Sequence, residues 1–319
     1  MGWQKAHSFE QDKNQGSTEE VFSSQIHAKM SKVSVIVPSR NEQFLQQTVA
    51  DLLTKAAGDV EIIVILDGYW PVPILADDPR LRIVHFSTPH GMRAGINAGA
   101  AVARGKYLMK VDAHCMFAEG WDEALQLDCD DDWLVVPRRK RLDAENWCIQ
   151  DVGKPDVDYE FLSYPWWKPD QIGLHGTIWV ERALARKEMV LDEDMSFQGS
   201  CWFMPRLFFE RLGQLQEEGY GTFIGEPQEL GLKVWLSGGT QMRNKRTWYA
   251  HLHKGNKYGR GYHVNTTELK NGNMYSADFW YNNRWPERVR DLEWLVEHFW
   301  PCPSWPGMTR DTWTPLTLS

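Results

Sequence analysis

The chain reads as an α/β protein on a mainly parallel, doubly wound sheet, and three observations carry that reading. Short β-branched runs of the buried-strand type recur at Val33–Pro38, Glu61–Asp67 and Leu81–Phe86. Stretches of helical periodicity separate them, and strands that alternate with helices imply parallel pairing through crossovers. Strand ends carry polar residues, at Ser39-Arg-Asn-Glu42, Asp67 and Asp112-Ala-His114. The carboxyl ends of strands are where open α/β sheets bind ligands.

Taken in order, Val33-Ser-Val-Ile-Val-Pro38 opens the ordered chain. A helix follows, with Phe44, Leu45, Val49, Leu52 and Leu53 near helical spacing. Glu61-Ile-Ile-Val-Ile-Leu-Asp67 is a second buried strand, ending in an acid and Gly68, and Leu81–Phe86 is a third. Gly91 through Arg104 reads as a small-residue helix, broken by Gly105 before the strand that leads to Asp112. Residues 130–175 are less regular and hold the basic run Arg138-Arg-Lys-Arg141 and a loop-like Ser163–Asp170. Gly199 to Phe209 reads as a buried strand running into a helix, and Ile224 to Leu236 as a helix closed by Ser237-Gly-Gly239. Beyond residue 255, Gly, Asn, Lys and aromatic residues precede an amphipathic helix with Val289, Leu292, Leu295, Val296 and Phe299 on one face. The tail Pro301–Pro306 is expected to run extended across the surface. This divides the chain into a flexible polar arm (1–30), one large domain (31–255, in halves 31–130 and 131–255) and a Trp-rich C-terminal extension packing on it (256–319).

The bulk composition narrows the classes. With 319 residues, 42% hydrophobic and 24% charged, the chain can bury a sizeable core. A net charge of -8 argues against a protein coated in basic surface. No apolar run has membrane-spanning length and the N-terminus lacks a signal-peptide core, so no membrane association is expected. Five cysteines without a CxxC pair favour a reduced protein, with a cytoplasmic location (host cytoplasm if viral). Seventeen tryptophans are the outlier, and flat aromatic faces stack on sugars and bases as well as in cores.

The chemistry centres on Lys106-Tyr-Leu-Met-Lys-Val-Asp-Ala-His-Cys115. In an extended chain the side chains of Asp112 and His114 point to the same side and can reach one divalent cation. Glu226 and Glu229 stand three apart, so on a helix they share a face.

With these residues in view, roughly residues 32–255 resemble the GT-A glycosyltransferases of the family-two superfamily. The family's opening appears as Val37-Pro38 with Asn41-Glu42, its second strand end as Leu66-Asp67-Gly68-Tyr69, and its next helix as Gly91…Asn97-Ala-Gly99…Ala103-Arg-Gly105. One acid and the serine usual after the second strand are missing here. Most members then carry Asp-X-Asp, whereas Asp112-Ala-His-Cys115 is similar to the polypeptide N-acetylgalactosaminyltransferases. Gly225-Glu-Pro-Gln-Glu…Lys233-Val-Trp-Leu-Ser-Gly-Gly239 and Gly199-Ser-Cys-Trp-Phe…Phe209-Glu-Arg-Leu-Gly213 resemble two further segments of those enzymes. Their third metal ligand falls, by spacing, on His251, with His253 as the competitor. The lectin domain and membrane anchor of the animal enzymes are not expected, so a mucin-type acceptor does not follow.

The resemblance implies a metal-dependent transferase moving a sugar from a nucleotide-diphosphate donor, a UDP-sugar first, to a hydroxyl acceptor with retention. Asp112, His114 and His251 would hold Mn2+, with Mg2+ second. Pro38, Arg40, Asn41, Glu42, Asp67, Arg93, Asn97 and Asp112 would bind the donor. Asp67 and Asn41 would meet the nucleoside and Arg93 a phosphate. Glu226, then Glu229, would act at the reacting centre, as general base if the reaction inverts. Arg138–Arg141 and the run Lys254, Lys257, Arg260, interleaved with Trp248, Tyr249, Tyr258 and Tyr262, raise a nucleic-acid acceptor, a hydroxymethylated DNA base. Protein, glycan and lipid-linked acceptors stand beside it. A nucleotidyltransferase and a degenerate carbohydrate-binding module are the competing functions.

Overall fold

In the computed structural model, which describes residues 30–153, 155–168, 172–307 and 313–314, every residue of Val33–Val37 is buried. The expected polar arm therefore lies outside the described residues, save Met30. These residues form strand β1 (Val33–Ser39), followed by helix α1 (Leu45–Lys55) and strands β2 (Val60–Asp67) and β3 (Leu81–Phe86). Then come α2 (Met92–Val102), β4 (Tyr107–Val111) and β5 (Cys115–Phe117). A strand buried on both faces needs cover on both. Val33, Val35 and Val37 face Leu45, Val49 and Leu52 of α1, while Ile36 faces Ile96 and Ala100 of α2. A Cβ on Gly99 would lie 2.6 Å from Ile36 Cγ2, so this helix approaches β1 only because its inner face is bare.

The second half adds α3 (Trp121–Leu127), β6 (Trp133–Asp143), β7 (Cys148–Ile149), β8 (Glu160–Leu162) and β9 (Gly176–Ile178). It continues with α4 (Val180–Ala185), β10 (Leu191–Glu193), β11 (Cys201–Pro205), α5 (Arg206–Arg211), α6 (Glu226–Leu236) and β12 (Thr240–His251). The main sheet runs β10-β12-β6-β11-β4-β1-β2-β3, with β5 on β12 and β7 on β6, and β8–β9 forms a separate pair. The first half of the domain is parallel, as expected, through β4, β1, β2 and β3. Past β4 the sheet is mixed. β11 is antiparallel to both β4 and β6, β10 and β5 are antiparallel to β12, and only β6–β12 is again parallel. Antiparallel neighbours need no crossover helix, which is why this half lacks the strand–helix alternation of the first.

After β12 come α7 (Gly255–Tyr258), α8 (Thr266–Tyr281) and α9 (Leu292–His298). Sequence periodicity missed α8, the longest helix described, because its buried positions are few and scattered. Its start was nevertheless written in the chain. Asn265 is three residues before Glu268, and its side chain accepts hydrogen bonds from the backbone N–H of Thr267 and Glu268. Helix α9 buries Leu292, Leu295 and Val296, whereas Val289 precedes it and is 74% exposed. Trp280, Trp285, Phe299 and Trp305 share one core with Ile36 and Trp202, so the C-terminal segment is built into the domain's interior. The tail is pinned where Trp305 Nε1 donates to the Leu162 carbonyl at 2.7 Å. Among the described residues no helix is long and apolar enough to cross a membrane.

Candidate active site and metal centre

Three side chains converge where β4 hands over to β5. Asp112 leaves β4 with its N–H bonded to the Ser200 carbonyl at 2.9 Å, and His114 follows one residue before β5. Antiparallel pairing of β5 with β12 sets His251 opposite Cys115, and the Leu252 N–H donates to the His114 carbonyl. His251 Nε2 then stands 3.4 Å from Asp112 Oδ2 and 3.1 Å from His114 Nε2, and His114 Nε2 lies 3.9 Å from Asp112 Oδ2. One ligand atom from each falls within 4.8 Å of the others. Adjacent ligands of an octahedral ion with bonds near 2.1 Å are about 3 Å apart, so this donor set fits a divalent cation on one face. His253 is outside the group; its ring packs edge-on to His251 with centroids 5.2 Å apart.

The surroundings aim and charge these ligands. Glu42 Oε2 can only accept, so His114 Nδ1, 3.1 Å away, carries the proton and leaves Nε2 to face the site. Lys254 Nζ in turn donates to both Glu42 oxygens, at 2.6 and 2.7 Å. Burial opposes the charge on Glu42, but His114 and Lys254 outweigh it and lower the carboxyl. Burial pushes His251 down to about 3, which keeps its ring neutral. On the Asp112 carboxyl burial is again opposed, first by Lys110 and then by His251, and the carboxyl sits well below its ordinary range.

Beneath the ligands lies a second charged cluster. Lys110, 1% exposed within β4, donates from Nζ to Asp112 Oδ1 at 2.7 Å and to the Gly199 carbonyl, and its Nζ is 3.8 Å from Glu226 Oε2. Burial disfavours its charge, but Asp112 and Glu226 reverse that and raise it. Glu226 begins α6, and its Oε1 accepts from Trp202 Nε1 at 2.5 Å. Its Oε2 is buried with no hydrogen-bond partner among the described residues. Burial raises this carboxyl against the pull of Lys110. A Cβ on Gly199 would overlap Glu226 Oε2, which explains the glycine there. Strand periodicity had absorbed Lys110 into an apolar run; a charged residue inside that run was the signal that went unused.

Not every expected residue enters this cleft. The cleft holds about 1010 Å³ and is lined by Pro38, Arg40, Glu42, Asp67, Asp112, His114, Glu226 and His251, among others. Arg93, Glu229, Asn97 and Asn41 do not line it. Arg93 is buried with its guanidinium paired to Glu229, bonded to the carbonyls of Gln216 and Ile224, and 3.9 Å from the centre of the Tyr220 ring. Glu229 also takes Lys233 Nζ at 2.7 Å and the Gln216 N–H at 2.8 Å. Helical spacing rightly grouped Glu226 with Glu229, but the first faces the cleft and the second fastens α6 to α2. Asn97 clasps the backbone of Leu215 through both ends of its amide. Asn41, in the left-handed region at φ 54°, donates to the Gly261 carbonyl at 2.9 Å. Asp67 lines the cleft, yet both its oxygens accept loop N–H groups, from His90 at 2.6 Å and Gly91 at 3.1 Å.

The basic run is likewise drawn inward. Arg138 pairs with Asp158 at 2.7 Å, Arg139 with Glu160 at 2.9 Å, and Lys140 with Asp156 at 2.8 Å. Lys257 pairs with Glu145 at 2.7 Å. Arg40 and Arg260 remain at the cleft, stacked on Tyr262 and Phe223.

A parallel half-sheet with a carboxylate–histidine group at its strand ends has the layout of a GT-A domain. Residues 34–188, just under half of the chain, match the model of Glycosyl transferase family 2. The chain is 25% identical over 232 residues to polypeptide N-acetylgalactosaminyltransferase 12 of Mus musculus, covering 66% of this chain and 38% of that protein. Polypeptide N-acetylgalactosaminyltransferase 5 of Caenorhabditis elegans is 26% identical over 174 residues, covering 50% and 25% respectively. The uncharacterized glycosyltransferase EpsJ of Bacillus subtilis is 34% identical over 113 residues, covering 31% and 32%. The chain thus spans about two fifths or less of the curated relatives it matches. Among solved structures it is similar to GalNAc-T7 crystallised with UDP, GalNAc and Mn2+, with TM-score 0.60 and 19% identity over 80% of this chain and 51% of that one. That likeness establishes the GT-A fold.

Proposed function

We propose that the chain is a metal-dependent glycosyltransferase that takes a UDP-sugar and passes the sugar to a hydroxyl acceptor with retention. The observation that carries the reading is the meeting of Asp112, His114 and His251 at the end of β4, in one cleft with Glu226. A divalent cation held by these three residues, Mn2+ first and Mg2+ second, would supply Lewis-acid stabilisation to the departing diphosphate. GalNAc-T7 was crystallised with UDP and Mn2+, which supports that choice of donor and metal.

The chain's own residues perform the rest. Glu42 fixes the His114 ring so that Nε2 faces the diphosphate side. Asp67 holds the turn at His90–Gly91, shaping the wall on which a nucleoside lies. The unpartnered Oε2 of Glu226 is positioned to accept from a sugar or acceptor hydroxyl and to steady positive charge on the sugar ring. In a retaining transfer the leaving phosphate takes the acceptor's proton, so no further base is required. The acceptor hydroxyl belongs to a protein or glycan rather than to DNA, because Arg138, Arg139, Lys140 and Lys257 are engaged by acids of the same chain. All five cysteines are free thiols, which supports a reducing, cytoplasmic setting.

The test is incubation with Mn2+ and a panel of nucleotide sugars. Release of nucleoside diphosphate, lost in Asp112→Ala and His251→Ala, is expected. Release of sugar 1-phosphate instead, with the nucleoside monophosphate passed to an acceptor, would identify a nucleotidyltransferase, and undiminished turnover in both variants would remove the metal site. NMR of the product's anomeric centre decides retention, and salt-sensitive DNA binding would reinstate the nucleic-acid acceptor.

A further inference from the structure

A lysine inside a fully buried strand is costly unless its charge is answered. Lys110 is answered at 2.7 Å by Asp112 Oδ1 and, farther off at 3.8 Å, by Glu226 Oε2. Asp112 is also the sole carboxylate of the three-residue metal group. The nearby Glu42 contributes no free charge either, since Lys254 contacts both its oxygens. A divalent cation entering the protein alone would meet two imidazoles, which bring no negative charge, and a carboxylate whose charge is cancelled from behind. Affinity at such sites follows the charge count of the ligands.

Resting on the reading of Asp112, His114 and His251 as metal ligands, we infer that Lys110 makes the centre donor-dependent. It occupies Asp112 Oδ1, leaves Oδ2 alone to face the histidines, and offsets the carboxylate's charge. The cation is then held tightly only together with the negative charges of a nucleoside diphosphate. Lys110 is a positioning residue in this account, since it reaches the metal through Asp112. By linkage, the factor by which the diphosphate improves metal binding equals the factor by which metal improves diphosphate binding.

The experiment titrates Mn2+ into the full chain, following the free-ion electron paramagnetic resonance signal with and without UDP. Wild type is expected to bind Mn2+ at least about tenfold more tightly with UDP than without. Lys110→Met should bind Mn2+ alone at least about tenfold more tightly than wild type and gain correspondingly less from UDP, whereas Lys110→Arg should behave as wild type. If the methionine variant melts early, Lys110→Gln carries the same comparison. Equal Mn2+ affinity of wild type with and without UDP overturns the inference, as does a folded Lys110→Met no tighter than wild type. Absence of Mn2+ binding by wild type even with UDP is a different result, and it removes the metal-site reading itself.

Discussion

His114 Nε2 and His251 Nε2 face one another at 3.1 Å across 137 positions of sequence, with Asp112 Oδ2 within 3.9 Å of both. The contact is made by strand pairing: His251 ends β12 opposite Cys115 of β5. Replacing His251 or Asp112 by alanine should therefore lower Mn2+-dependent donor turnover by about 100-fold or more. His253→Ala, outside the ligand group, should stay within a few-fold of wild type. Initial rates at saturating Mn2+ give the comparison, and equal losses at 251 and 253 would contradict the assignment.

Glu226 and Glu229 separate by role. Glu226→Gln keeps an oxygen for Trp202 but removes the charge facing the cleft, so turnover should fall by about 100-fold or more with the fold intact. Metal-dependent UDP binding should change little. A normal kcat in the glutamine variant would place the essential carboxylate elsewhere.

Arg93 and Glu229 are predicted to matter for stability. Arg93→Met leaves a buried carboxylate short of its main partner and should cost about 3–5 kcal/mol in denaturant unfolding. The double change Arg93→Met with Glu229→Met should recover part of that loss, since neither charge is then stranded. Unaltered stability with lost donor affinity would return Arg93 to the phosphate role raised in the sequence reading.

The metal-free protein should weaken in acid. Burial holds His251 near about 3 and His253 near about 4, below the roughly 6.5 of an unfolded histidine. The unfolded chain thus takes up protons first as pH falls. The stability these neutral rings contribute is full above about pH 6.5 and is lost as pH drops toward their folded values. Thermal melts between about pH 7 and 4 should show Tm falling, with a shallower slope in His251→Ala. A flat profile in the wild type would contradict the burial of these rings.

The sequence was most legible where chemistry and periodicity coincide. β-Branched runs gave the spans of β1, β2 and β3 nearly to the residue, although β3 is an edge strand with no buried residue and Ile83 42% exposed, contrary to the buried strand expected. Alternate placement of Asp112 and His114 gave two of the three residues of the candidate metal group. His251 needed the spacing of a related family, because nothing local marks a histidine in a strand as a ligand. The mixed half of the sheet was hidden, since its β5 and β10 are three residues each and carry no period of their own, and the same holds for the separate pair β8–β9. Arg93 and Asn97 were misplaced for a common reason. Their partners, Glu229 and Leu215, lie more than a hundred residues away and appear only when α2 meets α6 and the segment that precedes it.

Asn273 and Ser276 of α8 line the same cleft as Asp112 and His114. Part of the cleft wall is thus encoded in a stretch that lies beyond the matched family segment, 34–188. His251 and Glu226 lie beyond that segment too, so the candidate site is assembled from both passages of the chain. A change confined to either passage therefore reaches the one cleft that both of them line.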